Sequence, residues 1–177
     1  MITIRQMPAS ELARLGEIDR SEHVSHEYVY RDRLLEKRVI DLDVPPWSPS
    51  GDHEHSVPSR VDAWRQMLDR GGKLVGAFDA ETLVGVAIYR PDLPEGMANL
   101  AVLYVSRSHR RTGVASRLTD AVARLARADG VRRLYVSATP SVATVEFYRS
   151  QGFAVTDEPD ETLFALEPDD IHMILEL

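Results

Sequence analysis

The chain has 177 residues, 44% of them hydrophobic, enough for one ordinary domain with a real core and without a composition break that would divide it. Acidic residues outnumber basic ones by 28 to 21, so the net charge of −7 opposes non-specific attraction to nucleic acid or to an anionic membrane and favours a cationic partner. Cysteine is absent, which excludes disulfides, thiolate metal sites and covalent catalysis through an enzyme thiol.

Met1-Ile-Thr-Ile-Arg-Gln alternates as a strand does and lacks the apolar core of a signal peptide. No apolar run approaches the length of about 18 residues that a membrane helix needs, so no membrane association and a cytoplasmic location are expected. Ile2 to Gln6 reads as a strand, and Ser10 to Asp19 as a helix with Leu12, Leu15 and Ile18 on one rough face. Residues 24 to 44, with Tyr28, Tyr30, Leu34 and the run from Val39 to Val44, fit an irregular hairpin. Three prolines and a glycine between Val44 and Asp52 predict a loop.

Pro58 near a helix start, Val61, Trp64 and Leu68 on one face and Gly71-Gly72 at the stop predict a second helix. Strands over Lys73 to Phe78 and Thr82 to Tyr89 flank the turn at Asp79-Ala80-Glu81, and the second has the nearly continuous apolar run of a buried strand. Met97 to Ser106 is the next strand. An amphipathic helix follows over Val114 to Ala128, with Val114, Leu118, Val122 and Leu125 inward and Gly130 beyond its end. Arg133 to Ala138 reads as a strand, Ser141 to Gln151 as a short helix, and Phe153 to Asp157 with Ile171 to Glu176 as a closing pair. Hairpins followed by strand-helix-strand imply a mixed sheet covered by helices.

The most informative run is Arg110-Arg111-Thr112-Gly113-Val114-Ala115, placed between a strand and an amphipathic helix. A short turn that holds backbone N–H groups at a helix N-terminus beside fixed positive charge suits a pyrophosphate. Gly113 can take φ > 0 and lets a ligand approach the main chain, Ala115 keeps the helix start uncluttered, and the arginines offer charge-assisted contacts. All but two of the basic residues are arginine, and those at 107, 110 and 111 cluster here. Downstream, Phe147-Tyr148 near the end of a short helix, Gly152 where the helix must stop and Phe153 opening the next strand make one physical unit.

Together the two segments resemble the GNAT superfamily of acetyl-CoA-dependent N-acyltransferases. Arg110, Gly113 and Ala115 match that family's Gln/Arg-x-x-Gly-x-Gly/Ala loop; Phe147, Tyr148, Gly152 and Phe153 match its helix, tyrosine, glycine stop and phenylalanine. The best match runs from about Leu83 to Phe153. Ser141 stands where many members carry Asn, and Thr144 where many carry Ala. The resemblance implies a single domain over residues 1–177, of α/β (α+β) class, with a mixed, mostly antiparallel twisted sheet of six to seven strands and about four helices. It implies acetyl-CoA as cosubstrate, its pyrophosphate on the main chain from Arg110 through Arg111, Thr112, Gly113 and Val114 to Ala115. Its pantetheine arm would lie along Leu103, Tyr104 and Val105, near Ser141.

Tyr148 is the side chain suited to proton transfer, because a phenol near the cofactor sulfur can protonate the departing thiolate and, with an ordinary pKa of about 10, carries its proton at neutral pH. The Leu103 N–H, turned by a bulge, would serve as an oxyanion donor. The Tyr104 side chain reads as a packed, half-buried sheet residue and not as a chemical group. No Asp or Glu lies between Met97 and Ser106 to act as base; Glu22, His23, His26, Glu27, His53, Glu54 and His55 are alternatives to which no role is assigned. His53-Glu54-His55 lacks the spacing of a closed metal set, so no metal is expected. Asp157, Glu158, Asp160 and Glu161 read as an acidic turn that either attracts a cation or is simply solvated. These features favour an N-acetyltransferase acting on the primary amine of a small molecule or peptide by direct attack in a ternary complex. A non-catalytic acyl-CoA-binding sensor or scaffold is the alternative. A strand edge near the C-terminus offers a route to a homodimer.

Overall fold

A computed structural model describes residues 1–94 and 96–177. The chain begins with β1 (Ile2–Met7) and a series of 3-10 turns over Ala9–Glu17, then forms a hairpin of β2 (Glu22–Arg31) and β3 (Leu34–Val44). After α1 (Val57–Asp69) come β4 (Lys73–Asp79), β5 (Thr82–Arg90) and β6 (Met97–Val105). Helix α2 (Val114–Ala128) leads to β7 (Arg133–Ala138), and α3 (Val142–Ser150), β8 (Ala154–Val155), α4 (Glu161–Leu166) and β9 (Ile171–Glu176) complete the chain.

Seven strands form one sheet in the order β1-β4-β5-β6-β7-β9-β8; β2 and β3 pair with each other apart from it. All pairs in the large sheet are antiparallel except β6 with β7. A parallel pair needs a long connection, and α2 provides it. Successive residues of β4 and β5 point to opposite faces, and both faces are covered, so the apolar run of β5 is continuous. Val75, Ala77, Val84 and Ala87 pack with Val114, Leu118 and Val122 of α2. On the other face Leu74, Phe78, Val86 and Ile88 pack with Leu12, Leu15 and Trp64. Gly85 lets α2 sit this close: a Cβ there would lie 3.1 Å from Leu118 Cδ1 and 3.1 Å from Val114 Cγ1.

The long elements lie where the residue pattern puts them, with three differences of physical interest. Ser10 to Asp19 is 3-10 and not α, which accounts for Leu12, Leu15 and Ile18 at intervals of three: at three residues per turn they fall on one line, and all are buried. The predicted strand from Phe153 to Asp157 shrinks to Ala154–Val155. The acidic run is not a plain turn, because the Asp160 side chain accepts the Leu163 N–H at 3.0 Å and starts α4. The C-terminal strand lies inside the sheet between β7 and β8, so the edge on that side is the two-residue β8. Among the described residues no helix is long and apolar enough to cross a membrane.

Leu118, fully buried on α2, sets the seating of that helix. Leu118→Ala is expected to lower unfolding stability by about 2–5 kcal/mol. Exposed Arg124→Ala on the same helix should stay within about 0.5 kcal/mol, both read by chemical denaturation.

Candidate active site

Three residue pairs, Met97 with Arg133, Ala98 with Leu134 and Asn99 with Tyr135, join β6 to β7; beyond them the described residues show no ladder between these strands. At the same point β6 carries a bulge, since Ile88 pairs with Val102 but the next residue, Tyr89, pairs with Leu100, leaving Ala101 extra. The strands therefore part, and one edge of β6 is open. Its alternation can be read directly. Ser106 N–H donates to Val84 O at 2.8 Å, so the main chain of Ser106 and Tyr104 faces β5 while that of Leu103 and Val105 faces the gap. The Leu103 N–H thus points into the gap, with the bulge two residues earlier than Leu103 itself.

At the end of β6 the loop turns into α2. Gly113 has φ 85° and no side-chain cap covers the helix start, leaving the first N–H groups of α2, from Val114 and Ala115, exposed to a ligand. A Cβ at Gly113 would meet nothing within 4 Å, which marks open space above the main chain. Arg111, at φ 60°, is exposed, and the Thr112 hydroxyl donates to His109 O at 2.6 Å.

Arg110 has other work. Its guanidinium donates to Val105 O at 3.2 Å and Arg20 O at 2.9 Å and pairs with Glu22 at 3.3 Å, so its charge ties the end of β6 to the segment before β2. Ser141 is likewise engaged: it caps α3, accepting the Thr144 N–H at 3.2 Å and donating to Thr144 Oγ1 at 2.9 Å. Tyr104 packs against Trp47 at 5.2 Å and stacks on Trp64 at 6.0 Å, which pins the 44–57 loop onto β6. The Arg20 guanidinium covers the other side of Trp47 at 4.3 Å.

Tyr148 is buried on α3 between the rings of Phe147 and Phe153, each 5.2 Å away. Its hydroxyl has no hydrogen-bond partner among the described residues. Burial, followed by the neighbouring Tyr104 phenol and Asp170 carboxyl, raises its pKa well above the ordinary phenol value, so it holds its proton at any physiological pH.

The hairpin of β2 and β3 roofs a cavity next to α3 and the segment before α4. Tyr28 N–H donates to Pro140 O at 2.8 Å, the Tyr28 hydroxyl to Glu146 at 2.8 Å and the Tyr30 hydroxyl to Asp157 at 2.5 Å. Beneath it lies a cavity of about 590 Å³ bounded by Tyr28, Tyr30, Pro140, Asp157, Asp170 and His172, among others. The loop after α4 is held by one chain of hydrogen bonds. Asp160 N–H donates to the Tyr135 oxygen at 3.3 Å, Tyr135 O–H to His172 Nδ1 at 2.6 Å, and His172 Nε2–H to Glu167 O at 3.1 Å. That chain needs a neutral imidazole, and burial lowers the His172 pKa accordingly.

The basic and acidic alternatives from the sequence are largely paired or exposed: Glu22 with Arg110, Glu27 with Arg38, His23 with Asp43 and Asp157 with Arg33. His26 bonds Ser25, and His55 lies 3.3 Å from Glu54 with His53 exposed nearby. Among the described residues no three His, Cys, Asp or Glu side chains converge as a metal site. Sequence reasoning missed Asp170, whose only sequence signal is an Asp-Asp pair after Pro168.

A family model described as acetyltransferase (GNAT) family matches residues 36–153. The chain belongs to the GNAT acetyltransferase family. Its fold is shared with nourseothricin acetyltransferase at a TM-score of 0.72 and 16% identity, over 99% of this chain and 98% of that one. It is also shared with the PaiA N-acetyltransferase of Thermoplasma acidophilum, solved with coenzyme A, at 0.64 and 17% over 100% and 99%. The ribosomal-protein-S18-alanine N-acetyltransferase of Escherichia coli gives 0.63 and 16% over 99% and 94%. No curated protein matches the chain in sequence. The uncapped start of α2, the space over Gly113 and the open edge at Leu103 and Val105 fit an acyl-CoA.

Two outcomes separate structure from binding. Arg110→Ala should cost about 1–2 kcal/mol of stability through its lost charge-assisted bonds, whereas exposed Arg111→Ala should stay within about 0.5 kcal/mol, read by thermal unfolding. Because the folded His172 pKa lies below the ordinary 6.5, its stabilising effect is full above about pH 6.5 and is lost as pH falls. Between pH 7.5 and 5 the wild type should therefore lose stability relative to His172→Gln.

Proposed function

We propose that the protein is an acetyl-CoA-dependent N-acetyltransferase that moves the acetyl group directly to the primary amine of a small molecule or peptide in a ternary complex. The observation that carries this reading is Tyr148: a buried phenol without a hydrogen-bond partner, kept protonated by its burial and by the influence of Tyr104 and Asp170. A domain that merely sensed acyl-CoA would have no use for such a group. The nitrogen acceptor also accords with the names of two fold neighbours, one acting on a protein alanine, and with a chain of net charge −7.

When bound, acetyl-CoA supplies the reactive thioester. The main chain from Arg111 to Ala115, with the positive end of α2, holds the diphosphate. Leu103 and Val105 offer N–H and C=O groups to the pantetheine arm as an added strand would, and the Leu103 N–H donates to the carbonyl oxygen as charge develops there. The amine nitrogen would bond to the acetyl carbon as the C–S bond breaks, the Tyr148 hydroxyl giving its proton to the leaving sulfur and regaining one from the nitrogen. Arg110 and Ser141 support this site from behind, the first by fixing the end of β6 and the second by capping α3.

Tyr148→Phe is expected to keep the melting temperature and the calorimetric affinity for coenzyme A while lowering kcat by about 10²–10⁴-fold in a free-thiol release assay with an amine panel. Unchanged turnover would remove Tyr148 from the chemistry. Saturable acetyl-CoA binding without thiol release from any acceptor would favour the sensor reading.

A further inference from the structure

An amine that arrives protonated must lose a proton before it can attack, and β6 carries no Asp or Glu to accept it. Most carboxylates near the acceptor side already have partners: Glu22 has Arg110, Glu27 has Arg38, and Asp157 has Arg33 and the Tyr30 hydroxyl. The loop after α4 differs. Glu167, Asp169 and Asp170 have no cationic partner among the described residues, and Asp170 is the half-buried one of the three. It lines the cavity beneath the β2–β3 hairpin and lies close enough to Tyr148 for its charge to raise the phenol. Asp170 thus lines an approach route and exerts its charge on the proton donor.

We propose that Asp170 is the catalytic base that takes a proton from the acceptor ammonium, and that the cavity under the hairpin admits a cationic amine to it. This rests on the N-acetyltransferase reading and extends it. The carboxylate accepts one N–H proton from R–NH3⁺, leaving R–NH2 and a protonated Asp170. As the N–C bond forms and the C–S bond breaks, the nitrogen sheds a second proton, which replaces the one that Tyr148 gives to sulfur. Asp170 returns its proton to water in the cavity, so each amide formed releases one proton.

Burial, then the charges of Glu167 and Asp169, push the Asp170 carboxyl up to about 7, the range in which a general base works best at neutral pH. Other charged or titratable groups line the same space: Glu27, Tyr28, Tyr30, Arg31 and Arg38 from the hairpin, Asp157 from the segment before α4, Asp169 next to Asp170, and His172 from β9. Arg31 and Arg38 would hold the limb down and the carboxylates would raise it, so it belongs to this group of charges as a whole. The His172 hydrogen bond to Glu167 O fixes the loop that presents the carboxylate.

The test is the pH dependence of kcat/KM with acetyl-CoA and the best acceptor from a panel of alkyl diamines and alanyl peptides. Wild type should rise with pH through a limb near 7. Asp170→Asn should lose that limb and fall by about 10²–10⁴-fold, its residual rate following the acceptor's own ionisation, with coenzyme A affinity unchanged by calorimetry. Asp169→Asn should keep the limb but move it to lower pH. An Asp170→Asn enzyme that retains the limb, at full or uniformly reduced rate, overturns the assignment while leaving the transferase reading intact. If that variant does not fold, an unmoved limb in Asp169→Asn overturns it instead. Wild-type protein that binds acetyl-CoA but releases no thiol with any acceptor overturns both.

Discussion

The parting of β6 from β7 after three paired residues is the constraint on which the rest of the structure depends. A buried strand normally has both edges satisfied, because an unpaired N–H or C=O away from water costs on the order of 1–3 kcal/mol. Here β5 satisfies one edge of β6, and beyond Asn99 the other has no strand partner among the described residues, as the proposed pantetheine contact requires. The extra residue at Ala101 reinforces the separation, since a bulge bends and twists the strand that carries it. The same parting brings the end of β6 to the start of α2, so one rearrangement of the sheet exposes both a main-chain edge and a helix N-terminus.

Keeping two strands apart within one sheet requires rigid support, and the core supplies it from both faces. Helix α2 lies against β4 and β5 on one side, while Trp64, Leu12 and Leu15 hold the other. Trp47, Trp64 and Tyr104 fasten the long proline-rich loop to β6 itself, and Arg110 bridges the end of that strand to Arg20 and Glu22. The two-residue turn of the β2–β3 hairpin is made by Asp32 and Arg33, both with positive φ, the geometry that matches the twist of paired strands. Its tyrosines then anchor it to α3 and to Asp157. The roof of the acceptor cavity is therefore joined to the same elements that carry Tyr148.

How much of this the amino-acid order discloses depends on the range of the interactions. Local signals were legible: the apolar period of α2, the glycine at 113 that takes positive φ, the run of β5 buried on two faces, and the aromatic pair on α3. Roles set by contacts between distant segments were not. Arg110 reads as a phosphate-binding charge until Arg20, ninety residues away, engages it, and Ser141 reads as a ligand contact until its hydroxyl is seen to cap a helix. Asp170 is the sharpest case. Its neighbours in sequence make it look like a solvated acidic loop, and its burial comes from the packing of the α4–β9 segment under a hairpin that begins near residue 22. Spacing along the chain carries no trace of that environment.

Burial has opposite chemical consequences for Tyr148 and Asp170. For the Tyr148 phenol, removal from water strengthens its hold on a proton, so the proton passes to sulfur only as the C–S bond breaks and the nitrogen's own proton replaces it. For the Asp170 carboxyl, the same removal makes a weak base into one matched to neutral pH. An ionised Asp170 helps to keep Tyr148 protonated. An ammonium entering the cavity would neutralise that field as it gave up its proton. Arg31 and Arg38 line the wider cavity, but neither pairs with Asp170, so the ammonium of the substrate would be the first cation to meet that carboxylate directly.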